Sequence, residues 1–193
     1  MATLGNPVVV FSQGTILKGN DPGMCCRLAY KWLASKVAPT KVKGGSFKFD
    51  LVNYNKTAGK QGLYLEDADP YEKEKAGTWR LGVGVVTLKW LNIWGERHGL
   101  AFEKITGVHD CKAYFATYAQ RSALIGIFGR DAKGGNWAHA TVYYAGGPAF
   151  FDANEGEFDL SGVANPGSAL DNFHLYLKGP GETLDDYSFF ALL

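Results

Sequence analysis

The chain has 193 residues, with 20 Lys and Arg against 19 Asp and Glu, for a formal net charge of +1. That balance, without a basic patch, excludes the electrostatic footprint of a nucleic-acid binder, and no apolar run approaches the roughly 18–20 residues that span a bilayer. At 46% hydrophobic and 14% aromatic residues, the composition suits one globular domain spanning residues 1–193. The three cysteines, Cys25, Cys26 and Cys111, make a poor disulfide framework, because adjacent cysteines do not bridge one another easily. A reducing working compartment is the simpler expectation. The first residues, Met1 to Pro7, carry neither a basic n-region nor an apolar h-region, so no Sec signal is read there.

Val8 to Phe11 reads as a short strand or a buried lead-in. Asp21-Pro22-Gly23 reads as a helix start, a capping residue followed by Pro at the first helical position. Leu28, Ala29, Trp32, Leu33 and Val37 then recur at helical spacing, and Pro39 stops the helix. Ser46 to Val52 alternates and predicts a strand. Residues 55–80 are polar and Gly-rich and predict a long loop with one helical turn, a candidate substrate-facing segment. Val83 to His98 predicts a helix, Asp110 to Gln120 another, and Ser122 to Phe128 a buried strand. Trp137–Ala145, Ala149–Asp152 and Glu157–Leu160 predict successive antiparallel strands with a turn at Gly146-Gly147-Pro148. Ser168 to Leu177 predicts the last helix, and Asp186–Leu192 the strand that closes the sheet. The expected class is α+β.

Three residues carry candidate chemistry. Cys25 falls in the first turn after Pro22, where unpaired N–H groups and the helix dipole favour an anion. A thiol there, beside an imidazolium, drops from a pKa of about 8.5 into a range in which the nucleophilic thiolate is populated. Cys26 is expected to face the protein, and Cys111 to sit in the core. His139 lies on an alternating strand between small residues, whereas His98, His109 and His174 have no acidic partner at a useful offset and read as structural. If Gly146 and Gly147 are the central turn residues, Thr141 faces Asp152, and Asp152 becomes a diagonal neighbour of His139. It would then orient the ring and stabilise its cation. A three-residue loop would instead put the two on opposite faces. Asn20 precedes Cys25 closely enough to offer an amide N–H to an oxyanion, alongside the Cys25 backbone N–H. Gln13 is a more distant candidate for that role, and Asn20 or Asp21 as a simple helix cap is the competing reading.

These segments resemble the YopT/AvrPphB family of bacterial effector cysteine proteases, in the papain-like clan. That family carries Gly-x-Cys-x-x-Leu with a Trp four residues on, which here reads Gly23-Met-Cys25-Cys-Arg-Leu28-Ala-Tyr-Lys-Trp32. Its His-Ala is similar to His139-Ala140. Its Asp-Pro-Asn-x-Gly-x-Phe is similar to Asp152-Ala153-Asn154-Glu155-Gly156-Glu157-Phe158, with Ala in place of Pro. The resemblance selects Cys25 over Cys26 as nucleophile and places the family's oxyanion Asn on Asn20. It implies a papain-like fold, with the nucleophile helix packed on a central antiparallel sheet and the cleft between them.

The activity implied is proteolysis by a Cys25–His139–Asp152 triad through an acyl-enzyme, with no metal or organic cofactor. The same triad also serves peptidoglycan amidases or endopeptidases, deamidases and acyltransferases. A binding module that keeps the scaffold is a third possibility, opposed by the intact triad. The expected partners are a protein or peptide substrate and a cognate immunity or chaperone protein. The chain is expected to be made in a bacterial cytoplasm and delivered as an effector or toxin without a Sec signal. It lacks the long polar N-terminal region of a type III effector, so a trimmed domain or another route, such as a type VI system, is expected.

Overall fold

The structure is a computed structural model and describes residues 3–17, 23–49, 52–72 and 76–193. Seven strands form one sheet: β1 (Val9–Val10), β2 (Phe102–Ile105), β3 (Ala123–Arg130), β4 (Asn136–Tyr144), β5 (Ala149–Asp152), β6 (Gly156–Asp159) and β7 (Thr183–Leu192). Their order is β1-β6-β5-β4-β3-β7-β2, and every neighbouring pair is antiparallel. The helices are α1 (Cys25–Val37), α2 (Tyr54–Glu72), α3 (Ala76–Gly95), α4 (Cys111–Tyr118) and α5 (Pro166–Leu177). Among the described residues, no helix is long and apolar enough to cross a membrane.

Strand β3 explains the layering. Its sequence, Ala-Leu-Ile-Gly-Ile-Phe-Gly, is buried throughout, as a strand covered on both faces should be. Leu124 and Phe128 face a core built with α1, α2 and α3, whereas Ile125 and Ile127 face a second core built with α4 and α5. Helix α1 lies on β4 and β5. Its Trp32 ring stacks on Phe151 at 5.6 Å, and its indole N–H donates to Glu157 Oε2 at 2.8 Å. Lys36 reaches the other oxygen of Glu157 at 2.7 Å. One Trp thus ties the helix to two strands.

Two expectations are corrected. Of residues 55–80, the described ones, 55–72 and 76–80, are helical rather than a loop, and 73–75 lie outside the described residues. The buried stripe of α2 is Thr57, Gln61, Tyr64 and Ala68, at steps of four, three and four. The spacing is helical, but half of the stripe is polar, which masks it from a reading of apolar periodicity. Residues 46–49 are not in a strand. Their alternation instead sets Phe47 and Phe49 on one side, where both rings pack on Phe11 and Phe151 at centroid distances of 5.6–6.3 Å. Smaller departures follow the same logic. α3 begins seven residues before the expected helix, and a 3-10 turn over Glu96–His98 ends it. α5 begins at Pro166, capped by Asn165, whose side chain accepts from the Ser168 N–H. β2 had no signal in the sequence, and β7 lies between β3 and β2 rather than closing the sheet.

Gly156, by lacking a side chain, lets β1 pair with β6 at the sheet edge. It adopts a φ of +117°, and a Cβ there would lie 2.0 Å from the Val9 carbonyl oxygen of the paired strand. Gly156→Ala should therefore lower stability by at least about 1–3 kcal/mol. This would be read as a fall in the urea midpoint at unchanged slope, and an unmoved midpoint would contradict the packing of β1 on β6.

Candidate active site

Cys25 is the first residue of α1 and is half-buried. Helical geometry turns the next residue by about 100°, and Cys26 is accordingly buried. The helix starts at Cys25 rather than at Pro22, and its N-cap, Met24, makes no side-chain capping bond. Gln13, from a 3-10 turn after β1, supplies the cap instead. Its Oε1 accepts from the Met24 N–H at 2.6 Å, and its Nε2 donates to Asn154 Oδ1 at 2.8 Å. The Gln13 backbone N–H also donates to Ala153 O at 2.6 Å. The buried Gln13 thereby joins the start of α1 to the turn that follows Asp152. Asn20 lies outside the described residues, as do Asp21 and Pro22.

His139 lies on the part of β4 that runs past the end of β5. The pairs run from Thr141↔Asp152 to Tyr144↔Ala149, the register that Gly146 and Gly147 imply as central turn residues. Asp152 is therefore the diagonal neighbour of His139, and its Oδ2 meets His139 Nε2 at 2.5 Å. Its other oxygen accepts from the N–H groups of Asn154 and Glu155 at 2.7 and 3.1 Å. With Nε2 engaged by the carboxylate, Nδ1 is the ring nitrogen left to face Cys25, and the charge of His139 acts on the Cys25 thiol. The Asp152 side chain is fully buried and that of His139 is 12% exposed.

The electrostatics follow from this arrangement. Burial alone raises the pKa of the Cys25 thiol, but the charge and hydrogen bond of His139, with the Ala140 N–H, outweigh it, and the net shift is downward. Burial pulls His139 down, but the charges of Asp152 and Cys25 and their hydrogen bonds push it up to about 10. Burial raises Asp152, but the His139 cation and the Asn154 N–H hold it below the usual carboxylate range. The three groups favour thiolate, imidazolium and carboxylate together.

The remaining histidines have other partners. His174 is fully buried between Thr141 Oγ1 (3.1 Å) and Cys111 Sγ (3.6 Å), and burial lowers it to about 3, so it is neutral. Cys111 is in the core, as expected. His98 Nδ1 lies 2.5 Å from the Tyr30 hydroxyl, which donates to Trp94 O. His109 is exposed and pairs with Asp186 at 3.2 Å, an acidic partner too distant in sequence to be foreseen. Among the described residues, no group of three or more His, Cys, Asp or Glu could hold a metal ion. The Gln13–Asn154 bridge is the feature that sequence reasoning missed. Gln13 is legible as a more distant oxyanion candidate and Asn154 as a motif residue, but nothing in the sequence signals their contact.

A mixed fold of helices on an antiparallel sheet, with a cysteine, a histidine and an aspartate converging at one strand end, describes this chain. No protein-family model and no curated protein matches its sequence. Among solved structures it is similar to the crystal structure of the Pseudomonas avirulence protein AvrPphB. The TM-score is 0.55 at 14% sequence identity, over 89% of this chain and 92% of that one. At that identity the likeness is one of fold.

Iodoacetamide should alkylate Cys25 rapidly at pH values well below the ordinary thiol range. Cys26 and Cys111, which burial pushes up, should stay slow. In His139→Ala the lowering contributions are removed while burial still raises the thiol, so Cys25 labelling should shift to alkaline pH. Peptide mass mapping from about pH 5 to about pH 9 would read both effects. Three cysteines reacting alike, and only near the ordinary thiol pKa, would contradict the pairing.

Proposed function

We propose that the chain is a papain-like cysteine protease acting as a bacterial effector or toxin. The observation that carries this reading is the His139 ring held between Cys25 and Asp152 at the N-terminus of a helix. Two further observations support it. The motifs resemble the YopT/AvrPphB effector proteases, and the fold is similar to that of a Pseudomonas avirulence protein named in that family. In this mechanism the Cys25 thiolate attacks the carbonyl carbon of a peptide bond. The S–C bond forms, and the carbonyl oxygen takes up the negative charge. The Cys25 N–H and one Gln13 amide hydrogen stabilise that oxyanion, the other hydrogen being engaged by Asn154; Asn20 is assigned to the same role on the motif alone. The His139 imidazolium protonates the departing amine as the C–N bond breaks. Neutral His139 then takes a proton from water, which attacks the thioester and releases the acid. Asp152 holds the ring orientation and its positive charge.

The substrate in this reading is a protein or peptide. Delivery into a target cell, with a cognate immunity or chaperone protein, completes the proposed setting.

The test is a survey of new protein N-termini in bacterial and eukaryotic lysates treated with the purified chain. New termini should appear with the wild type and be absent with Cys25→Ala and with His139→Ala. On the best substrate found, Asp152→Asn should lower kcat by on the order of 10²-fold or more, and Cys26→Ala should be tolerated. Termini that persist in Cys25→Ala would sink the mechanism. Turnover of purified sacculi with no new protein termini would transfer the same triad to peptidoglycan.

A further inference from the structure

Beside the Cys25–His139 pair lies a cavity of about 230 Å³. It is lined by Tyr64, Leu65 and Ala68 of α2, Trp79 and Val83 of α3 and Phe128 of β3, the Trp79 and Phe128 rings meeting edge to face at 5.4 Å. Three of the β3 and β4 residues that line it, Gly126, Ala138 and Ala140, are small. Gly126 pairs with Ala140, and Ala138 pairs with Phe128. At Gly126 a Cβ would already stand 3.3 Å from the Phe128 ring. A larger side chain at any of these positions would occupy the space. Half-buried Cys25 and partly exposed His139 mark its mouth, and the fully or nearly fully buried Ala68, Trp79, Val83 and Leu124 mark its depth.

The chemistry of the walls is one-sided. Among the described residues, no Asp, Glu, Lys or Arg lines the cavity. Three of the polar side chains that line it hold bonds within the protein. Gln61 Oε1 accepts from the Arg27 N–H at 2.9 Å, Thr87 donates to Val83 O at 2.8 Å, and the Tyr64 hydroxyl lies 3.1 Å from Thr87 Oγ1. A charged group entering would lose its hydration and meet no counter-charge beyond the catalytic pair itself. An apolar group would gain the full benefit of burial. Apolar-walled cavities of roughly 150 Å³ hold benzene, so this one accommodates a Leu, Phe or Trp side chain.

We infer that this cavity is the specificity pocket of the enzyme, and that the substrate places a bulky apolar side chain, aliphatic or aromatic, in it next to the scissile bond. The inference rests on the protease reading above and adds the substrate class to it. The α2–α3 pair is then the specificity element.

The test uses the full chain and a set of acetyl-dipeptidyl vinyl sulfones. Each of the two residues is varied in turn through Phe, Leu, Trp, Gly, Asp and Lys. The Cys25 thiolate adds to the vinyl carbon, the imidazolium proton passes to the neighbouring carbon, and mass spectrometry reads the inactivation rate. Iodoacetamide, which needs no pocket, is run in parallel. At one position Phe, Leu or Trp should react about tenfold or more faster than Gly, Asp and Lys. Ala68→Phe should erase that preference while leaving the iodoacetamide rate unchanged. Leu65→Ala, which widens the cavity and fills nothing, should shift the optimum toward Trp even if Ala68→Phe fails to fold. A flat profile at both positions, or a preference for Gly, Asp or Lys, with rapid iodoacetamide labelling, would overturn the pocket and leave the thiolate reading standing. Slow labelling of Cys25 by every reagent would overturn both.

Discussion

A cation buried in a protein persists only where anions meet it, and His139 is such a cation. Its ring has the Asp152 carboxylate on one nitrogen and lies within electrostatic reach of the Cys25 thiol, and neither group is tolerable alone. Without Asp152, burial would drive the imidazole neutral. Without the imidazolium, the Cys25 thiol would be raised by its own burial. The rest of the molecule serves to bring a helix start, a strand overhang and a hairpin end to one point. Packing on both faces of the sheet makes that point rigid. The Trp32–Phe151 stack and the Glu157 bonds fix α1 on the strands. The hairpin register fixes Asp152 beside His139. The Gln13 amide bridges the helix start and the Asn154 turn.

The bridge shows how one side chain does two jobs. As an N-cap it satisfies an N–H that α1 leaves unpaired. As a neighbour of Asn154 it ties down the turn whose N–H groups also bind Asp152. A loss at Gln13 therefore reaches both the start of the Cys25 helix and the turn that binds Asp152. The same economy appears in Gly156, which the motif retains because the β1 backbone approaches it too closely for any side chain.

Much of the site was legible because its chemistry constrains short stretches of sequence. Cys25 had to precede an amphipathic helix, His139 an alternating strand, and the Gly146-Gly147 turn set which residue Asp152 faces. The sheet from β3 to β6 was legible for the same reason, since its strands are long, apolar and punctuated by Gly and Pro. What was not legible depended on distant partners. Thr57 and Gln61 sit on the buried face of α2, where Gln61 satisfies an N–H of α1, so polarity concealed a helix. Phe47 and Phe49 alternate like a strand, but their use is to cover Phe11 and Phe151, and no sheet edge meets them. The four residues of β2 are too few to show a period. The Gln13–Asn154 contact spans 141 positions, beyond any local signal.

The most direct measurement is a titration of the His139 ring nitrogens by NMR, in wild type and in Cys25→Ala. The sign is set by the environment: a histidine raised by two anions stays protonated through neutrality and loses its proton only as pH rises to about 10. Removing one anion should bring the midpoint down while Asp152 keeps it above the ordinary histidine value of about 6.5. A wild-type His139 that titrates near that ordinary value, with no response to Cys25→Ala, would mean a neutral imidazole beside an ordinary thiol and would contradict the account.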